Sequence, residues 1–379
     1  MKQFDYIITG SGASGLILAY RMAKDAFFDQ KSILLIDKEQ KTANDRTWCF
    51  WEKGVGEWDA ILEKSWNKIS FKSNRYSDTI DINPYVYKMI RSSQLYQKIL
   101  KELQTKSNIT IVQDEVLNIS HKTHNASVLT QKTEYHGKKV LNSILFDQEY
   151  KHQRTYPVLK QHFLGWFVET EEAQFDASVA TFMDFTVAQE NNTRFMYVLP
   201  ESSRRALFEY TLFSEKLLSN EEYEAEIAAY LKEKGIENYK IIEKEQGVIP
   251  MTCYKFWKHN SDHVLNIGTA GGWSKASTGY TFMNICKKTM EVVAFLKTDK
   301  TFKEFHKSSR FWWYDLLLLD VLHKRNDLGS SIFGLLFKKN TTQKIFKFLD
   351  EETSFAEELR IMATMPPLRF GNVLLGRLF

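Results

Sequence analysis

Glu209 is the residue of this chain best placed by its neighbours to do proton chemistry. It lies in the run Leu207-Phe208-Glu209-Tyr210-Thr211-Leu212-Phe213. A carboxyl buried among such side chains stays protonated at neutral pH, because burial penalises the charged form, and a protonated carboxyl is a general acid. Strand alternation puts Leu207, Glu209 and Thr211 on one face and Phe208, Tyr210 and Leu212 on the other. The alternative is an exposed strand carboxylate paired with Arg204 or Arg205. A second acidic run, Phe348-Leu349-Asp350-Glu351-Glu352-Thr353, is followed by Glu357 and Glu358 in a helical context. Spaced acids on a helix form a solvated face, so this run is expected to be surface. The nine histidines make no metal pattern. His259 and His263 are separated by Asn260-Ser261-Asp262, which reads as a turn.

The second chemical feature is Gly10-x-Gly12-x-x-Gly15, with Asp37 further on. A strand precedes it (residues 4–9), a helix follows (16–24), and a second strand (32–37) ends in the acid. Gly10 allows the tight turn, Gly12 lets a pyrophosphate approach the helix N-terminus, Gly15 permits close packing, and Asp37 accepts from a ribose hydroxyl. This is a dinucleotide site. Its place at residue 10, with a second Gly-rich turn at residues 268–279, favours FAD over NAD, since the chain can build a substrate sheet and return to close on the flavin.

Around these features the chain reads as α/β. At 379 residues it is too long for a single core and should form two packed units. Hydrophobic residues make up 43% and charged residues 26%, which fits a globular protein, and a net charge of +4 does not suggest nucleic-acid binding. Strands are expected at residues 109–112, 116–119 and 143–147. Helices are expected at 90–104, 221–234 and 280–296. Alternation over residues 155–215 points to an antiparallel sheet with one covered face. Val264 to Gly268 reads as a strand, and the last ~80 residues as helical. The expected organisation is a Rossmann-type nucleotide-binding β-α-β plus first substrate strands (1–85), its continuation (86–154), an antiparallel substrate sheet (155–245), a return to the first unit carrying the Gly-rich turn (246–298), and a helical C-terminal region (299–379). Cys49, Cys253 and Cys286 form no CxxC and read as reduced thiols of a cytoplasmic protein.

Several segments together resemble the FAD-containing lycopene β-cyclases of carotenoid synthesis. They are Asp45-Arg46-Thr47-Trp48-Cys49-Phe50-Trp51, Gly247-Val248-Ile249-Pro250-Met251, Gly268-Thr269-Ala270-Gly271-Gly272 and Lys275-Ala276-Ser277-Thr278-Gly279-Tyr280-Thr281-Phe282. Leu207-Phe208-Glu209-Tyr210-Thr211 is similar to the family's acidic motif. The resemblance implies the architecture of the aromatic-hydroxylase flavoproteins and the cyclisation of the linear ψ-ends of lycopene or another carotene into β-rings. It implies reduced FAD without net redox change, with NAD(P)H as reductant. It implies Glu209 as the acid, and cofactor contacts at Gly10, Gly12, Ala13, Gly15, Asp37, Arg46, Val116, Gly268, Gly271, Ser277, Thr278 and Gly279. Arg46 either contacts FAD phosphates or shapes the pocket, or pairs with Asp45 or Glu52. The chain departs from the family at Ala276, where Pro is common, and at Tyr210, where a second carboxylate is common. The second departure leaves Glu209 as the single obvious acid and casts doubt on a two-carboxylate scheme. Trp48, Trp51, Trp166 and Trp273 are candidates for cation–π contacts or simple packing.

A carotene substrate implies contact with a membrane. Residues 310–319, 331–339 and 373–379 are apolar stretches flanked by cations. They form either a surface dipping into the inner face of the membrane from the cytoplasm or a helical cap packed on the core. Competing functions are a monooxygenase or polyprenyl reductase of the same architecture and a non-catalytic carotenoid-binding flavoprotein.

Overall fold

A computed structural model describes residues 2–146, 148–307 and 309–378. The chain opens with β1 (Lys2–Thr9), in which Tyr6, Ile7 and Ile8 are all buried, as a central strand covered on both faces requires. A turn leads into α1 (Ala13–Ala23), where every residue but Arg21 is buried, and the chain returns in β2 (Ile33–Asp37). Next come β3 (Thr47–Lys53), β4 (Lys64–Trp66), the antiparallel pair β5 (Lys68–Ser73) and β6 (Tyr76–Asp81), and β7 (Tyr85–Arg91). In α2 (Ser92–Leu103) the buried residues Leu95, Tyr96, Ile99 and Leu103 fall at helical spacing. β8 (Ile109–Gln113), β9 (Val116–His121), β10 (Ala126–Thr130) and β11 (Glu134–Asn142) follow.

The expected strand at 143–147 is not there. β11 occupies the neighbouring place beside β1, disguised in sequence by its polar His136, Lys138 and Lys139. Residues 143–146 instead turn beneath the glycine loop, where Ser143 Oγ donates to Thr9 O at 2.8 Å. Asp147 lies outside the described residues.

After the short α3 (Glu149–His152) the chain builds a second sheet from β12 (Leu159–Thr170), β13 (Val179–Asp184), β14 (Thr193–Pro200) and β15 (Arg205–Ser214). α4 (Asn220–Glu233) starts at a capping box on Ser219, and β16 (Tyr239–Met251) is the edge strand. The order is β16-β12-β15-β14-β13-β5-β6. The sheet is antiparallel as expected, except that β13 and β5 pair in parallel. β16 continues through Gly247 to Met251, so those residues belong to the second sheet and not to the return. Pro250 is tolerated because the strand is at an edge. β17 (Val264–Asn266) then joins the first sheet beside β11, giving β8-β2-β1-β11-β10-β9 with β17 alongside, and β3-β7-β4 form a small third sheet. α4 covers one face of the second sheet through Tyr223, Ile227, Tyr230 and Leu231, packed on Phe208, Tyr210 and Leu212. That leaves Leu207 and Glu209 on the opposite face.

The Gly-rich turn leads to α5 (Phe282–Leu296), then α6 (Arg310–Lys324), α7 (Gly329–Lys339), α8 (Thr342–Leu349), α9 (Phe355–Met362) and α10 (Pro367–Leu378). The apolar faces of α6 and α7 pack inward: Leu316, Leu319, Leu322, Phe333 and Phe337 join the aromatic core of the second sheet. Stretches 310–319 and 331–339 are therefore chiefly a packed cap. Of residues 373–379, Phe379 lies outside the described residues.

The cap is fastened by Lys275. Its Nζ lies 3.1 Å from Asp315 on α6 and 3.0 Å from Glu351 just after α8. Burial works against the charge, but the two carboxylates outweigh it and hold the ammonium above its usual range. Lys275→Ala would strand two carboxylates, one of them buried. It is expected to destabilise the protein by about 3–5 kcal/mol, read as a lower urea midpoint at unchanged slope.

Candidate functional site

A cavity of about 330 Å³ opens between the second sheet and the Gly-rich turn. Its wall on the sheet side is set by register. Gly165 of β12 is paired with Glu209 of β15 on one side and with Glu245 of β16 on the other, and Glu209 is paired in turn with Tyr197 of β14. Residues paired this way share a face, so Glu245, Gly165, Glu209 and Tyr197 form a row across four strands. Gly165 has no side chain, so Leu207 and the stems of both glutamates close over it. A Cβ there would lie 3.5 Å from Glu209 Cβ and 3.4 Å from Glu245 Cγ. From the opposite side Tyr280 meets the row, its hydroxyl 3.2 Å from that of Tyr197.

The two carboxyl groups differ in support. Glu209 accepts one hydrogen bond, from Thr211 Oγ1 at 2.9 Å. It faces the cavity rather than bulk water. Burial, then the charge of Glu245, pushes its carboxyl up to about 8. Glu245 accepts from Thr47 Oγ1 at 2.7 Å, and Thr47 in turn accepts from Arg91 at 3.0 Å. Burial raises Glu245 too, but Thr47 and Arg91 pull it back. Cys49 and the hydroxyls of Tyr87, Tyr197 and Tyr280 are all raised by burial and stay neutral. Arg205 pairs with Glu201, so neither basic neighbour takes Glu209 to the surface.

The second acidic run is solvated at Glu351 and Glu352 but not at Asp350, nor at Glu358 beyond it. Asp350 caps α8 and accepts from Trp51 Nε1 at 2.8 Å, and burial raises it to about 6. Glu358 is wholly buried, gripped by Arg310 at 2.7 Å and by Tyr314. A helix's own spacing does not reveal what neighbouring elements place over it. Of the tryptophans, Trp48 lines the cavity, and Trp51 adjoins it, stacked on Phe346 at 4.4 Å and edge-on to Tyr280 at 4.6 Å. Trp166 packs under α4, and Trp273 belongs to the core of the first sheet.

The dinucleotide residues fall along one path. Gly10 follows β1 with φ +86°, Gly12 caps α1, Ala13 begins it, and Gly15 lies so close to the Gly10 carbonyl that any side chain would overlap it. Asp37 ends β2 and accepts from the Ser11 amide. Val116 begins β9 and is buried. Arg46 lines the cavity and bonds the Asp45 backbone carbonyl at 2.6 Å, while Glu52 is taken by Lys88. Gly268 and Gly271 shape a 3-10 turn after β17. Thr278 and Gly279 line the cavity, whereas the Ser277 hydroxyl is turned to Asp315 at 2.7 Å. A dinucleotide fits these residues. The Cβ direction of Gly12 is open, and Asp114 Oδ2, Gln161 Oε1 and Thr278 Oγ1 are buried polar atoms with no protein partner. Asp114 adjoins Asp37, to whose carbonyl its amide donates, and the other two line the cavity.

Sequence reasoning missed Glu245, Tyr87, Tyr197, Tyr280 and Asp350 as members of this region. For Glu245 a signal existed: alternation from Gly247 backwards puts Glu245, Gly247 and Ile249 on one face.

A Rossmann-type sheet, a mixed substrate sheet and a cleft between them define the architecture of the FAD-dependent flavoproteins. A geranylgeranyl bacteriochlorophyll reductase-like protein from Thermoplasma acidophilum shares it at TM-score 0.62 and 12% identity, over 98% of this chain and 99% of that one. A variant of the halogenase PltM solved with FAD shares it at TM-score 0.61 and 10% identity, over 96% and 86%. The chain belongs to the lycopene cyclase protein family, which matches residues 5–374. The lycopene beta-cyclase of Paracoccus sp. (strain N81106 / MBIC 01143) is 23% identical over 98% of this chain and 96% of its own. The chloroplastic lycopene beta cyclase of Arabidopsis thaliana is 26% identical over 73% of this chain, which spans 56% of the plant protein's length.

The raised carboxyl of Glu209 has a consequence for stability. The folded protein holds that proton up to about pH 8, whereas an unfolded glutamate releases it near 4.5. Between these values the folded state binds more protons, so this contribution is lost as pH rises. Unfolding free energies measured across the window should fall in the wild type and fall less in Glu209→Gln.

Proposed function

We propose that the protein is a lycopene β-cyclase that converts the linear ψ-ends of lycopene to β-ionone rings, giving β-carotene by way of γ-carotene, by acid–base chemistry and without net redox change. The observation that carries this reading is the Glu209 carboxyl on the wall of an aromatic cavity facing the Gly-rich turn, where burial favours its protonated form. Glu209 gives its proton to the terminal double bond. The resulting tertiary cation is attacked by the neighbouring double bond, a six-membered ring closes, and loss of a ring proton leaves the β-end. The faces of Trp48, Tyr197 and Tyr280 shield the cation from water and stabilise it.

FAD would be held by Gly10, Gly12, Ala13, Gly15, Asp37, Arg46 and Val116 along its nucleotide and by Gly268, Gly271 and residues 277–279 along its ring. In reduced form, maintained by NAD(P)H, it would supply negative charge that favours a cationic intermediate. Phe355 and Leu359 on α9 and Leu368, Leu374 and Leu375 on α10 are exposed, as is Trp313. No helix among the described residues is long and apolar enough to cross a membrane. These side chains give the protein a peripheral hold on the cytoplasmic membrane face, from which the carotene enters.

Purified protein with FAD, dithionite and lycopene in liposomes, kept anaerobic, should yield a product of unchanged mass and shifted polyene spectrum. Glu209→Gln should retain flavin and lose at least about 10²-fold in rate. A product differing by two hydrogens would overturn the cyclase in favour of a reductase. In flotation the wild type should rise with liposomes, and Leu368→Glu with Leu375→Glu should leave it behind. A wild type that stays in the soluble fraction would remove the membrane contact.

A further inference from the structure

Ring closure needs a group to take a proton back as well as one to give it. We propose that Glu245 is that base, and that Glu209 and Glu245 form an acid–base pair on either side of Gly165. The inference rests on the cyclase reading and goes beyond it by assigning the second half of the reaction.

Three observations carry it. Register places both carboxylates on the cavity face of the sheet, on either side of the same glycine. Gly165 lets both stems lean over its strand: a Cβ at 165 would overlap Leu207 Cδ1 at 2.9 Å and touch Glu245 Cγ and Glu209 Cβ. The support is unequal. Glu245 is tied to the hydroxyl of Thr47, which is itself tied to the Arg91 guanidinium, whereas Glu209 has Thr211 alone. Two carboxyl groups facing one cavity disfavour each other's ionisation, so the less supported one keeps its proton. The Arg91–Thr47 link puts the negative charge on Glu245 and leaves the proton on Glu209.

The cycle balances without an outside reagent. The Glu209 O–H bond breaks and a C–H bond forms at the terminal alkene carbon. An alkene pair closes the ring as a C–C bond. A ring C–H bond then breaks, its electrons become the ring double bond, and the proton goes to Glu245. Substrate and product are isomers, and one proton has moved from Glu209 to Glu245. Its return to Glu209 resets the pair. Because the base is fixed on one strand, its position also selects which ring proton leaves.

The charged or titratable groups facing Glu245 are Arg46, Arg91, Cys49, Glu209 and Glu243. Of these, Glu209 is the one whose carboxyl the charge of Glu245 raises. The rate should therefore rise as Glu245 loses its proton and fall as Glu209 loses its own, giving a bell-shaped pH profile.

The test compares wild type, Glu245→Gln and Glu243→Gln in the anaerobic lycopene assay, with flavin affinity and thermal midpoint measured for each. Glu245→Gln should keep wild-type flavin binding and lose at least about 10²-fold in β-ring formation, or give rings with the double bond elsewhere. Its residual activity should lack the acid limb. The alkaline limb should move to lower pH, because the anion that raised Glu209 is gone. Glu243→Gln should keep both limbs with the acid limb at lower pH, because the anion that raises Glu245 and engages Arg91 is gone. A Glu245→Gln enzyme with wild-type rate, β-product and both limbs would overturn the assignment and leave the cyclase standing. A wild type that forms no ring would remove the cyclase and the base together.

Discussion

Lys275 ties the site to the rest of the molecule. Its side chain spans from the Gly-rich turn to α6 and to the end of α8. Its peptide group is the frame of the turn: the amide donates to Tyr280 O at 2.9 Å, and the carbonyl accepts from Gly279 at 2.8 Å. The residues that roof the cavity thus hang from a backbone unit whose side chain is locked by charge. An ammonium with so little water around it tolerates no sliding of its partners, because any gap leaves an unpaired ion in a poorly solvated place. The helical cap is therefore part of the site's geometry, although α6 contributes no side chain to the main cavity.

The nucleotide half was legible because its evidence is local. Strand, turn, helix, strand and acid follow within one continuous stretch, and each glycine has a reason that needs no knowledge of distant residues. Glu209 was legible by composition, since apolar neighbours in the chain foretell an apolar setting in space. The row across the sheet was hidden. Glu243-Lys244-Glu245-Gln246 reads as a charged surface, and only the pairing of β16 with β12 turns alternate members inward. Asp350 and Glu358 were misjudged for the same reason: a helical spacing rule cannot see Trp51 or Arg310 arriving from elsewhere. β11 was lost because its lysines masked a strand buried beside β1.

Burial and charge act together on Glu209 and against each other on Glu245. An apolar wall alone would raise both carboxyls, leaving no proton acceptor. A cation beside both would lower them, leaving no acid. The asymmetry arises because β3 and β7 reach one end of the row and aromatic side chains crowd the other. Tyr197 and Tyr280 meet through neutral hydroxyls, so that end is polarisable but carries no ionic competitor for a developing cation.

The cavity has one further consequence. On the cyclase reading, a cavity of about 330 Å³ that the flavin would partly share cannot take in a long polyene. A molecule with two reactive termini must be handled one terminus at a time, with the bulk of its length trailing outside. Between the two events the half-finished molecule has to back out and present its other tip. On the proposed reading, whether it does so before diffusing away would be a contest between lateral escape in the bilayer and recapture. The ratio of one-ringed to two-ringed product would then be set by residence at the mouth, not by the carboxylates within.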